Sequence, residues 1–143
     1  MTEKMTQPAK VTMRRLTSSG IPPAPSLPAT LTLRRARIDE SKELAILLSS
    51  AYPTENWEPV ATKHELFHNQ TVVAPMVVVS AKQILATASL QIRSNTQDYG
   101  WVRWVATKPE QQRQGLAQSL VIRLLTIAAE PNAKRFALTQ RQI

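Results

Sequence analysis

The residues best suited to chemistry lie between Trp101 and Glu130, and the chemistry they suit is capture of an anion. Gln111 to Gln114 are polar, Gly115 follows, and a helical period opens behind it. The free N–H groups of a helix's first turn point outward, and the aligned peptide dipoles add partial positive charge there. A glycine at this junction lets the backbone approach an anion closely. Such a loop needs a strand before it and a helix behind it. Trp101 to Ala106 is apolar or aromatic except for Arg103, the pattern of a mostly buried strand. Lys108-Pro109-Glu110 breaks that pattern. Ala117, Leu120, Val121, Leu124, Leu125 and Ala128 share one helical face, and Pro131 after Glu130 stops the helix.

The chain ahead of this unit supplies more elements of the same scale. Leu31 to Arg37 reads as a first strand. Asp39 offers a helix N-cap, with Glu40 and Glu43 near the positive helix end. Leu44, Leu47, Leu48 and Ala51 form a buried stripe that ends near Tyr52-Pro53. A loop from Thr54 to Pro59 carries Trp57, and Val60 to His68 reads as a short second helix. Met76–Ser80 and Ile84–Ile92 are rich in Val, Ile and Thr and form a hairpin across Ala81-Lys82-Gln83, although that link lacks glycine. Arg93 to Asp98 is a polar turn into the Tyr99–Ala106 strand, and Arg135 to Thr139 reads as one more strand. A three-strand meander followed by a strand–helix–strand crossover predicts an α+β fold. Its sheet is mixed, mostly antiparallel, with helices on both sides.

The whole chain bounds the function. Its 143 residues fit one folded domain, here 31–143. Residues 1–30 hold five of the ten prolines, with Thr and Ser frequent and large apolar residues few, so this stretch is expected to be an unstructured leader. It lacks the apolar core of a secretory signal. The chain has no cysteine, which excludes disulfides, thiolate metal sites and a cysteine nucleophile. That suits a reducing compartment, and a cytoplasmic location is expected. No metal site is expected, and no run of apolar residues is long enough to cross a membrane. The net charge of +8 favours an anionic partner such as a nucleotide cofactor or nucleic acid. The charge alone supports a nucleic-acid module, and there is no helix-turn-helix pattern, zinc spacing or aromatic-and-basic strand motif beside it, so no specific nucleic acid is expected.

Val105 to Ala117, VATKPEQQRQGLA, resembles the acetyl-CoA-binding motif of the GNAT N-acetyltransferases. That motif has Gln or Arg, two residues, Gly, one residue, then Gly or Ala, and Gln112, Gly115 and Ala117 fill it here, with Pro109 at the usual upstream offset. LTLRRARIDESKELAILLSSAY resembles the family's opening strand and first helix, and MVVVSAKQILATASLQI resembles its second hairpin. The resemblance implies a GNAT-like acyl-CoA N-acyltransferase fold over roughly 31–140. It implies acetyl-CoA as cosubstrate and direct transfer of acetyl to a primary amine on a small molecule or peptide. Gln112, Arg113, Gln114, Gly115, Leu116 and Ala117 would then cradle the pyrophosphate. A bulge in the Tyr99–Ala106 strand would splay it, so that the pantetheine arm pairs with backbone near Val105 and Ala106. A backbone N–H there would stabilise the charge that grows on the thioester oxygen.

The catalytic groups follow less directly. Some family members carry a glutamate on the central strand as base, and that place falls on Trp101 here, with Arg103 next on the same face. Glu58, His64 and Glu65 are the expected catalytic residues, among a wider set that includes Glu55 and His68, with Asp98 and Tyr99 at the site edge. Family members continue past the fifth strand with another helix and two strands, and a tyrosine there often protonates the leaving thiolate. Only Tyr52 and Tyr99 are present, so that role is not carried over. The expectation is therefore a chain lacking the last helix and strands, as a natural short form, a truncated product or one completed by a partner, with the exposed Arg135–Thr139 strand pairing in a homodimer. A non-catalytic acetyl-CoA-binding remnant is the alternative function.

Overall fold

The computed structural model describes residues 11–14, 26–92 and 99–129. They form one five-stranded sheet, with β1 (Val11–Arg14), β2 (Leu31–Arg35), β3 (Val72–Ser80), β4 (Gln83–Ile92) and β5 (Tyr99–Thr107) in the order β1-β5-β4-β3-β2. Each pairing is antiparallel. The parallel contact that the crossover strand Arg135–Thr139 was expected to add lies outside the described residues, as do the 93–98 turn and the dimer contact assigned to that strand. The expected leader is corrected at one place. Val11–Arg14 forms β1 and pairs with Tyr99–Val102, because a short β-prone run can satisfy backbone groups at the outer edge of β5.

The helices lie on both faces, as the patterning predicts. α1 (Ser41–Ala51) and α2 (Pro59–Lys63), the latter continued by a single π turn over His64–His68, cover one face. α3 (Leu116–Ala129) covers the other. β3 runs between both layers, so it is buried on both sides, and its run Val72-Val73-Ala74-Pro75-Met76-Val77-Val78-Val79 is apolar without alternation. Leu44, Leu47 and Leu48 of α1 pack with Val77, Val79, Trp57, Leu66, Trp104 and Ala106. Leu116, Leu120 and Leu124 of α3 pack with Met76, Val78, Ala88, Leu90 and Val102. Leu116 thus heads the α3 stripe, one residue earlier than the expected Ala117, which is half-buried.

The start of α1 differs from the expected Asp39 cap. Ile38–Glu40 forms a 3-10 turn, and Glu40 reaches back to accept the Arg37 N–H at 2.8 Å. Arg34 meets the same carboxylate with both terminal nitrogens, at 3.1 and 2.6 Å. That guanidinium holds the Glu40 carboxyl below its ordinary value. The contact ties β2 to the entry of α1, so the helix start is set by the Glu40 carboxylate, which joins a local backbone cap to an ion pair with Arg34.

The β3–β4 hairpin is tighter than its sequence suggests. Ser80 pairs with Gln83, leaving only Ala81 and Lys82 in the turn, and Ala81 sits at φ 51. A Cβ in the left-handed region costs roughly 1–2 kcal/mol. Ala81→Gly should therefore stabilise the domain by about 0.5–1 kcal/mol after its added chain entropy is subtracted. A higher denaturation midpoint at unchanged slope is the expected reading, and a lower one would show that the turn carries no strain.

Candidate active site

The anion loop leaves β5 under tight control. Lys108 donates its N–H to Leu85 O at 2.9 Å, which fixes the loop's base to β4. Pro109–Gln111 forms a 3-10 turn closed by Gln111 N–H to Lys108 O at 2.8 Å. Arg113 (φ 68) and Gly115 (φ 80) then both enter the left-handed region. Two such residues close together curl the backbone into a concavity lined by N–H groups. Ser119 N–H donates to Gly115 O at 2.9 Å, which makes Gly115 the last residue ahead of α3's hydrogen-bond ladder. The N–H groups of Leu116, Ala117 and Gln118 therefore have no acceptor within the helix. A side chain at Gly115 would both strain the backbone and fill this cradle. Gln112, Arg113 and Gln114 are exposed at the rim of this loop. Leu116 contributes only backbone, since its side chain is 1% exposed and lies in the core.

Next to this loop, β5 carries the expected bulge. Thr87 pairs with Ala106 and Ser89 with Arg103, so two steps along β4 face three along β5. The extra residue is accommodated at Trp104, which adopts φ 56. A bulky residue in that region is a genuine outlier. The bulge resets the alternation of the strand. Val102 packs toward α3, whereas Trp104 and Ala106 both pack toward α1, with Val105 between them on the α3 side. Burial holds the strain in place. Trp104 is 6% exposed and meets Trp57 edge-on, with ring centroids 5.4 Å apart at 76°. Among the described residues, β1 pairs with β5 only from Tyr99 to Val102, so no strand covers the outer edge from Arg103 to Thr107. An unpaired edge of this kind can accept an extended, amide-bearing chain.

Side chains from the end of α1 converge on the bulge. The Tyr52 hydroxyl donates to Val105 O at 3.1 Å. Burial is the main cause that pushes this phenol up to about 12, with the Glu55 charge adding to it and the Arg103 charge opposing it. Tyr52 is therefore a neutral donor at physiological pH. A folded-state value above the ordinary phenol value of 10 means that stability is full below pH 10 and falls as pH rises toward 12. Tyr52→Phe should remove part of this alkaline loss, read as a smaller drop in melting temperature between pH 9 and 11.5. An identical drop in both proteins would show that the hydroxyl is not held as described.

Glu55 accepts the Trp57 indole N–H at 2.9 Å while remaining exposed, and Ser49 Oγ donates to Trp57 O at 3.2 Å. Arg103 lies over the Trp104 ring at 4.4 Å and donates to Gln91 Oε1 at 3.0 Å. The expected catalytic residues sit elsewhere. Glu58 precedes α2 and is exposed, His64 is exposed on the π turn, and Glu65 accepts a long 3.4 Å bond from Asn69 Nδ2. His64 and His68 face each other at 6.3 Å. Among the described residues no contact joins Glu58, His64 or Glu65 to the bulge. Asp98 lies outside the described residues, and Tyr99 begins β5. Sequence reasoning missed Tyr52 and Arg103 as site residues. The signal for Tyr52 was its place one turn after Leu48 on the buried stripe, which carries its ring under the sheet.

A bulged strand feeding a glycine loop and a helix N-terminus, within an antiparallel sheet covered on both faces, defines an acyl-CoA N-acyltransferase type of fold. The chain belongs to the acetyltransferase (GNAT) family, whose model matches residues 41–142. Among curated proteins no sequence matches. Similar solved structures include an acetyltransferase of Trypanosoma brucei (TM-score 0.57, 20% identity, 68% of this chain and 74% of that one). A protein of Pyrococcus horikoshii described as a candidate acetyltransferase has TM-score 0.56 and 16% identity, over 73% of this chain and 36% of that one. A transcriptional regulator of Bacillus halodurans has TM-score 0.55 and 17% identity, over 77% of this chain and 91% of that one. This chain thus spans about a third of the Pyrococcus protein's length. At these identities the likeness speaks to fold alone.

Proposed function

We propose that the protein moves an acetyl group from acetyl-CoA to a primary amine by direct transfer. One observation carries the reading: the strained bulge at Trp104 and the anion cradle at Gln112–Ala117 are the two ends of a single strand-to-helix connection. The cradle would hold the pyrophosphate, and the β5 edge at Val105 and Ala106, which no strand covers among the described residues, would hold the amide-bearing arm. Acetyl-CoA supplies the activated acetyl thioester. Overall a C–N bond forms, a C–S bond breaks, and the ammonium gives up two protons, one to the thiolate sulfur and one to solvent.

The chain's own residues handle orientation and protons. Tyr52 fixes the Val105 carbonyl, so that peptide cannot turn as a ligand docks. Glu55 is anchored to the bulge cluster through Trp57, and it provides the path for the amine proton. Trp57 and Trp104 keep water from this side.

Thiol release with acetyl-CoA over a panel of amines tests the function. Turnover is expected, and Glu55→Gln should lower kcat by about a hundredfold while acetyl-CoA still binds. Unchanged turnover would remove Glu55 from the mechanism. Trp101, at the strand place where a glutamate base would stand, favours a second reading, a binding protein without activity. Tight acetyl-CoA binding with no thiol release over the panel would select it.

A further inference from the structure

Resting on that reading, we infer that the acceptor is an amine carrying an oxyanion, a carboxylate or phosphate a few bonds from the nitrogen, and that Arg103 recognises it. Arg103 leaves β5 at the bulge on the α1 face, the side of Tyr52, Trp57 and Glu55. Its guanidinium is held from two directions. The Trp104 ring lies 4.4 Å away, and Gln91 Oε1 accepts from Nη1 at 3.0 Å. Gln91 is in turn fixed, since its Nε2 donates to Thr71 Oγ1 at 2.8 Å, and Thr71 donates to Asn69 Oδ1 at 2.7 Å. A chain of three polar side chains thus positions one cation.

Among the described residues no carboxylate pairs with Arg103, whose contacts are an amide oxygen and a ring face. The rest of its planar fork remains available for a two-pronged bond to an oxyanion. A second polar group stands unsatisfied beside it. Ser89 is the cross-strand partner of Arg103, and its Oγ is buried, 1% exposed as a residue, with no hydrogen-bond partner among the described residues. Buried polar atoms without partners are uncommon, and one next to a half-buried cation marks a place where a polar ligand completes the bonding.

The same charge acts on the acceptor nitrogen. A fixed cation disfavours the ammonium form nearby and so favours the neutral amine that attacks. It also repels acceptors carrying several ammonium groups. An oxyanion on the acceptor offsets this repulsion and brings the nitrogen to the bulge.

The test compares alanine, alaninamide, 2-aminoethyl phosphate, ethanolamine and spermidine as acceptors at saturating acetyl-CoA. Alanine or 2-aminoethyl phosphate is expected to exceed its neutral counterpart at least tenfold in kcat/KM, and whichever does so names the oxyanion. Arg103→Gln should remove most of that ratio through KM, and Arg103→Lys should restore part of it. Binding supplies an arm that needs no turnover: N-acetylalanine should quench tryptophan fluorescence at about tenfold lower concentration than N-acetylalaninamide, and Arg103→Gln should abolish the difference. Preference for ethanolamine or spermidine, or equal binding of the two acetyl compounds, overturns the inference. So does a loss of acetyl-CoA affinity in Arg103→Gln, since Arg103 would then serve the cosubstrate. Failure of the wild-type protein to bind acetyl-CoA would instead overturn the reading on which the inference rests.

Discussion

Gly115→Glu abolishes acetyl-CoA binding: the expected result is a calorimetric titration with no heat of binding up to at least a hundred times the wild-type dissociation constant. Three effects act together. Gly115 sits at φ 80, where a Cβ costs roughly 1–2 kcal/mol. The side chain would project into the concavity formed with Arg113 (φ 68), where the phosphates must approach the N–H groups. Its carboxylate would place negative charge on the positive end of α3, against the anion the site is proposed to hold. Gly115→Asn separates these effects. Asparagine tolerates the left-handed region and carries no charge, so this variant should fold and retain measurable affinity. Equal affinity in wild type and Gly115→Glu would place the anion elsewhere. Loss in both variants would point to side-chain volume in the cradle, since asparagine keeps the left-handed angle and adds no charge.

Trp104→Ala is expected to destabilise the domain by about 3–5 kcal/mol, since it removes a nearly buried indole and leaves a cavity. The edge contact with Trp57 is lost as well. For a domain of this size the melting temperature should fall by roughly 10–20 °C. The sharper result concerns Trp104→Gly. In an ordinary strand glycine is worse than alanine. At φ 56 the order should invert, with the glycine variant more stable than the alanine variant by about 0.5–1 kcal/mol. The usual order would show that the bulge relaxes once the ring is gone. Either variant should also weaken acetyl transfer, because Tyr52 and Arg103 both take their places from this segment.

Both predictions concern features the sequence half revealed. The glycine loop was legible because its signals are local: a polar run, one glycine, then a three-and-four apolar period. The hairpin was legible from its β-branched content, but its first strand begins at Val72, four residues before the expected Met76, because burial on both faces extends it through Val72–Pro75. A bulge was expected only through family resemblance. Nothing in Trp101-Val102-Arg103-Trp104-Val105-Ala106 marks Trp104 as the residue that turns left-handed, because no glycine is present and a tryptophan there is unfavourable by itself. Its conformation is imposed by Trp57 and the α1 core. Glu58, His64 and Glu65 were chosen for chemical type within one segment, and among the described residues no hydrogen bond or ring contact links them to the bulge cluster. Glu55, two residues before Trp57, is anchored by an indole bond that composition cannot reveal.

By itself, then, the sequence determined the alternation of elements, the anion loop and the faces of the helices, because each follows from local backbone preference and side-chain periodicity. Only the tertiary structure decided where the strand bends, that Val11–Arg14 closes part of its edge, and that Tyr52, Glu55 and Arg103 gather at the bend. Those placements depend on contacts between residues far apart in the chain. Tyr52 reaches Val105 and Arg103 reaches Gln91 only after the sheet has formed and α1 has docked on it, so no local rule encodes them.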